Sequence, residues 1–127
     1  MPVIALNHTN FRAPRALLDE LRNFYCDVVG LKQGERPAFR SFGYWLYAGG
    51  QPLLHLAEAE ATENRVAEAK NTFDHVAFTC AGRQEMEAHL VRRGVSYKLA
   101  CVPRTQQVQI FLNDPAGNGV ELNFEKE

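Results

Sequence analysis

Little in this chain points to a special environment. No apolar run approaches the ~20 residues needed to cross a bilayer. The 14 Lys and Arg against 15 Asp and Glu leave a formal net charge of -1, so neither nucleic acid nor an anionic membrane is the expected partner. The N-terminus lacks a basic segment followed by an apolar core, and a cytoplasmic location is expected. There are only three cysteines, Cys26, Cys80 and Cys101. Their odd number and wide spacing suit reduced thiols better than a disulfide framework, and they are read here as small buried hydrophobes. At 127 residues, 46% apolar and 23% charged, the chain is expected to be one ordinary globular domain.

What the sequence does contain is a faint repeat. Leu6-Asn7-His8-Thr9-Asn10-Phe11 returns 67 residues later as Phe73-Asp74-His75-Val76-Ala77-Phe78. A second pair, Leu54-His55-Leu56 and Val120-Glu121-Leu122, lies 66 positions apart. Between the members of each pair the order of elements is the same. Residues 3–11 alternate as a strand, with Ile4, Leu6, His8, Asn10 and Arg12 on one side. Pro14 opens a helix in which Leu17, Leu18, Leu21, Phe24, Tyr25, Val28 and Val29 form the apolar stripe, and Gly30 stops it. Three β-like pieces follow near 31–35, 40–48 and 52–57, divided by Pro37 and Gly49-Gly50.

Residues 58–71, rich in Ala and Glu, read as an exposed linker with at most a helical turn or two. The order then recurs: a strand over 72–80, and a helix over 83–93 with Met86, Leu90 and Val91 inward and Gly94 as its stop. Strands near 96–102, 107–112 and 119–124 complete it. The expectation is an α+β fold of two βαβββ modules, about 1–57 and 72–127, forming curved mixed sheets. In the last strand Val120, Leu122 and Phe124 alternate with Glu121 and Asn123, and Leu54 and Leu56 alternate with His55. The apolar sets belong beneath the helices, leaving His8, His55, His75 and Glu121 on the opposite, concave face.

Three imidazoles and one carboxylate on one face suit a divalent first-row metal such as Fe, Ni, Zn or Mn. Any one histidine alone is more commonly a hydrogen-bonded core or rim residue. It is the recurrence at equivalent positions that favours a site. His89 lies off the pattern, as a flanking or surface residue. Arg12, Arg40, Lys98 and Arg104 are cations able to orient an anionic substrate, and only Arg12 shares a face with His8. Asn10 is on that face too. Tyr44, Trp45 and Tyr47 either line a pocket or pack in the core.

The two modules, with His at the first strand of each and Asp114-Pro115-Ala116-Gly117-Asn118 before Val120-Glu121-Leu122, resemble the vicinal oxygen chelate superfamily. That group includes glyoxalase I, fosfomycin-resistance transferases, extradiol dioxygenases and bleomycin-resistance proteins. The resemblance implies a metal bound between paired modules, usually in a homodimer, with His8, His75 and Glu121 at shared ligand positions. His55 stands where glyoxalase I carries a glutamate ligand and where extradiol dioxygenases place an acid–base histidine. Arg12 resembles a glutathione-binding arginine of glyoxalase I, but Ala59 replaces the asparagine expected there. The implied function is a metal-dependent enzyme that takes a small molecule through two adjacent oxygens. Its catalytic residues are Glu121 and His55, and Arg12, Asn10 and Trp45 contact the substrate. A glyoxalase-like lyase or isomerase leads, with an Fe(II) ring-cleaving dioxygenase or a non-catalytic ligand-binding dimer as alternatives.

Overall fold

The protein's structure is a computed structural model that describes residues 5–63, 73–103 and 105–124. The chain divides into two compact units, Met1–Val66 and Ala67–Glu127, and each runs through the same βαβββ order. In the first unit β1 (Thr9–Ala13) leads into α1 (Arg15–Asn23), which widens into a π-type turn over Phe24–Val29. Three strands then follow, β2 (Lys32–Gly34), β3 (Gly43–Ala48) and β4 (Gln51–Glu58). The sheet order is β1-β4-β3-β2. Only the β1–β4 pair is parallel, because α1 supplies the crossover that a parallel partner requires.

The stripe on α1 is what joins the helix to the sheet. Leu18, Leu21 and Tyr25 are essentially inaccessible, as are Leu46, Leu54 and Leu56 of the sheet, and α1 packs against β4, β1 and β3. Burying each such side chain stabilises the fold by about 1.5–3 kcal/mol. Tyr44 also faces the helix, where its hydroxyl donates to Asp19 Oδ1 at 2.5 Å and Arg22 lies over its ring. Gly30 ends the helix at φ 103°, a left-handed conformation that glycine alone adopts without penalty.

The second unit contains β5 (His75–Cys80), α2 (Arg83–Arg92), β6 (Lys98–Cys101), β7 (Val108–Asn113) and β8 (Gly119–Phe124). Its sheet order, β5-β8-β7-β6, repeats that of the first. Ile110, Leu112, Val120, Leu122, Phe124 and Leu90 form its core. The turn before β8 is held by Asp114. Its Oδ1 accepts the N–H groups of Ala116 and Asn118, and its Oδ2 accepts the Asn118 amide, all at 2.9 Å. This is the Asp-Pro-Ala-Gly-Asn cluster at work, with Gly117 at φ 86°.

The expected α+β class and module order are therefore present, with local corrections. The first strand begins at Thr9, and residues 5–8 are not strand. Continued backwards, the β1–β4 register would set Asn7 against Pro52, which has no N–H for the ladder. Val91 is 68% exposed rather than inward, and on α2 only Leu90 is buried. Cys101 is exposed, while Cys26 and Cys80 are half-buried free thiols. Most of the linker (64–71), the first residues of the 3–11 strand, Thr72 and Arg104 lie outside the described residues. No helix among the described residues is long and apolar enough to cross a membrane.

Two substitution tests follow from this packing. Asp114→Ala removes three hydrogen bonds to a buried carboxylate and is expected to cost about 2–3 kcal/mol in urea unfolding. Leu90→Ala is expected to cost about 2–5 kcal/mol, whereas Val91→Ala stays within about 0.5 kcal/mol.

Candidate functional site

Each unit presents one pair of potential metal donors, delivered by the same strand register. Carrying the β1–β4 pairing back one step sets His8 against Leu53, two residues before His55. In the second unit His75 opposes Gly119, two residues before Glu121. The offset is identical, so His8 with His55 and His75 with Glu121 are equivalent pairs. In both, the partner on the neighbouring strand is aromatic: Trp45 opposes His55 and Phe111 opposes Glu121. Alternation keeps these residues off the helix side of their sheets.

In the second unit His75 Nδ1 lies 2.7 Å from Asp74 Oδ2, and its Nε2 lies 3.3 Å from Glu121 Oε1. The Glu121 side chain is 9% exposed, and the Phe111 ring stands edge-on to His75 at 6.2 Å. A neutral imidazole donates one proton, so it cannot satisfy a carboxylate on each nitrogen. A doubly protonated ring does so, as does a cation placed where the Nε2 proton would be. Gly119 makes this closeness possible. A Cβ there would run into the Asp74 carbonyl and sit 2.9 Å from His75 Cβ.

The first unit repeats half of that arrangement. His8 Nδ1 is 2.7 Å from Asn7 Oδ1, so the residue before each of these two histidines engages Nδ1 and Nε2 is left for a different partner, which for His75 is Glu121. This is the outer-shell pattern that orients metal-binding histidines. His55 differs. Its Nε2 is 3.0 Å from the Pro52 carbonyl, and with the Nε2 proton donated there, Nδ1 is left as its open nitrogen. Its ring is sandwiched between His8 (centroids 3.8 Å apart, 16°) and Trp45 (4.0 Å, 9°). Burial pushes the His55 pKa below the ordinary 6.5, and the nearby His8 and Arg36 push the same way against the Pro52 carbonyl. Near pH 7 His55 is therefore a neutral imidazole.

The remaining sequence expectations separate clearly. Asn10 is exposed beside His55 in the register. Arg12 is committed to a two-pronged ion pair with Glu63, its Nε donating at 3.1 Å. Of the three ring residues on β3, Trp45 alone stacks on a histidine. Tyr44 faces the helix, and Tyr47 donates to the Glu35 carbonyl. His89 is half-buried on α2. Burial raises the thiol pKa of Cys26 and Cys80, which keeps both protonated and unreactive. Among the described residues no group of three or more His, Cys, Asp and Glu is placed to hold a metal ion; within each unit the donors occur as a pair. Asn7, Asp74, Phe111 and Arg36 were not singled out in the sequence. Asn7 and Asp74 had a visible signal, since an amide or acid precedes the histidine in both halves of the repeat.

Comparison with known proteins agrees with this architecture. The sequence model of the Glyoxalase/Bleomycin resistance protein/Dioxygenase superfamily matches residues 5–122. A glyoxalase family protein from Bacillus anthracis is similar in structure, with a TM-score of 0.75, 23% identity and coverage of 99% of this chain and 98% of that one. Lactoylglutathione lyase from Agrobacterium tumefaciens follows at 0.69 and 22%, covering 98% and 96%. The fosfomycin resistance protein FosX from Listeria monocytogenes, in a complex with Mn(II), matches at 0.69 and 16%, covering 98% and 95%. No curated protein sequence matches. With the family match spanning almost the whole chain, and both modules in the expected order, this chain belongs to the Glyoxalase/Bleomycin resistance protein/Dioxygenase superfamily.

Proposed function

We propose that this chain is a metal-dependent enzyme of the vicinal oxygen chelate type, with His8, His75 and Glu121 as its ligands for a divalent metal. The observation that carries this reading is the shared treatment of His8 and His75. Each has Nδ1 engaged by the preceding side chain, and the Nε2 of His75 faces the Glu121 carboxylate at 3.3 Å. Glu121 adds the negative charge that a dication requires. His55, with Nε2 engaged at Pro52 and Nδ1 open, is assigned the proton-carrying role, and the His55→Gln substitution separates that role from a fourth ligand. The homodimer and cytoplasmic location expected from the sequence are part of the same proposal.

When bound, a divalent metal supplies Lewis acidity that stabilises charge developing on two neighbouring substrate oxygens. The chain's own residues do the rest. His8 and His75 are held in orientation by Asn7 and Asp74. His55, neutral and fixed between two rings, accepts and returns a proton at Nδ1. Asn10 hydrogen-bonds the bound molecule, and Trp45 gives it a flat apolar wall. Arg12 acts indirectly, by securing Glu63 beside β1.

A glyoxalase-like lyase or isomerase is the leading reaction class. A ring-cleaving dioxygenase is the second, favoured by one feature: two histidines and one carboxylate are the donor set used with Fe(II) in oxygen chemistry. Anaerobic turnover of a hemithioacetal with Ni, Zn or Mn supports the first. Oxygen uptake on a catechol that requires Fe(II) supports the second. Mn(II), the metal in the FosX complex, is a reasonable first choice for reconstitution.

Metal analysis after reconstitution tests the core of the proposal. A chain that takes up none of Mn, Fe, Ni and Zn would sink it. In calorimetric titration Asp74→Asn is expected to weaken metal binding by about ten-fold, and His8→Ala, His75→Ala and Glu121→Gln by more. His55→Gln is expected to keep the metal and lose turnover; loss of metal instead would make His55 a fourth ligand. In an NMR titration the His55 ring should have its midpoint below 6.5.

A further inference from the structure

One cation beside the first unit's donor pair is left unused by the chemistry above. Arg36 lies in the stretch between β2 and β3, half-buried, and has no carboxylate partner among the described residues. By contrast Arg12 and Arg15 are held by Glu63 and Glu58. Two nitrogens of Arg36 are anchored, Nη1 to the Ser41 carbonyl at 2.8 Å and Nη2 to Ser41 Oγ at 3.1 Å. A guanidinium has five N–H groups, so an anchored fork still has donors to offer.

Its position is set by Gly43. A Cβ on Gly43 would run into the Leu56 carbonyl of the neighbouring strand and come within 2.9 Å of Arg36 Cζ and Nη2. Its absence leaves room for the guanidinium, which lies near enough to His55 to help lower that ring's pKa. Arg36 Cζ is 4.9 Å from the Phe39 ring, and Phe39, 53% exposed, lies 6.2 Å from Trp45. Two rings and a positioned fork of donors thus occur side by side.

We propose that this face carries a subsite for an aryl carboxylate, with the aromatic ring against Trp45 and Phe39 and the carboxylate on Arg36. Stacking draws any flat ring to such a surface. A bidentate guanidinium contact selects those bearing a planar anion. The inference rests on the metal reading only in taking the bound molecule to be the substrate. The subsite itself belongs to one unit and is testable without metal.

Trp45 is the chain's single tryptophan, so its emission reports directly on this face. The full chain, with EDTA and again after Mn reconstitution, is titrated with benzoate, its uncharged isostere benzamide, and acetate. Saturable quenching by benzoate is expected at concentrations about ten-fold below those needed for benzamide or acetate, the margin of one charge-assisted contact. Arg36→Gln should bring benzoate to the benzamide level and leave benzamide unchanged. Arg36→Lys should retain part of the preference, and Phe39→Ala should weaken both aromatic probes. Equal affinity for benzoate and benzamide, no saturable response, or an unaltered preference in Arg36→Gln overturns the proposal. If Arg36→Gln loses both probes, Arg36→Lys decides, and failure to prefer benzoate also overturns it. A protein that takes up none of Mn, Fe, Ni and Zn on reconstitution yet still prefers benzoate would refute the metal reading and leave this subsite standing.

Discussion

The donor pairs of this chain depend on the parallel pairing between the first and last strand of each module. That pairing places a histidine at the mouth of the first strand two rungs from a donor on its neighbour. The last strand is the central element in both sheets, flanked on either side, and its alternation serves two purposes at once. Leu54 and Leu56, or Val120 and Leu122, are sealed beneath a helix. His55, or Glu121, is carried on the other side. A shift of one residue would exchange core for donors, so the apolar burial that stabilises each module also aims its chemistry.

The two modules have diverged around this common frame. In the second, the donors approach each other closely, and a buried carboxylate faces a histidine backed by a second carboxylate. In the first, the partner histidine has been turned away. Its Nε2 goes to a backbone carbonyl, and its ring lies between His8 and Trp45. Stacking on two sides and partial burial favour the neutral ring, with its proton at Nε2 and Nδ1 open. The same aromatic neighbourhood continues through Trp45 to Phe39 and Arg36, so the proposed proton carrier lies beside surfaces suited to holding a ring.

Much of this was legible without coordinates. The α1 stripe, Gly30, the turn cluster at Asp114 and the repeat spacing each carry a local physical signal, and each occurs where that signal put it. The errors have local causes as well. Val91 fits a helical period, but the short α2 buries little beyond Leu90. The alternation of the first strand continues past the point where Pro52 deprives it of a ladder partner. The pairing of Arg12, expected to contact substrate, carries no local signal because its partner Glu63 is distant in sequence.

The sequence by itself determined the modules, their order and the four chemically distinctive side chains. Those follow from periodicities of two and 3.6, from glycine and proline, and from a duplicated spacing, all of which are written in near neighbours. Only the tertiary structure decided which nitrogen each histidine offers. That depends on Asn7, Pro52 and Asp74 and on the rings of Trp45 and Phe111, brought near by strand pairing across long stretches of chain. It also decided which arginine is already paired and which still has donors to offer, since an ion pair is made by approach in space.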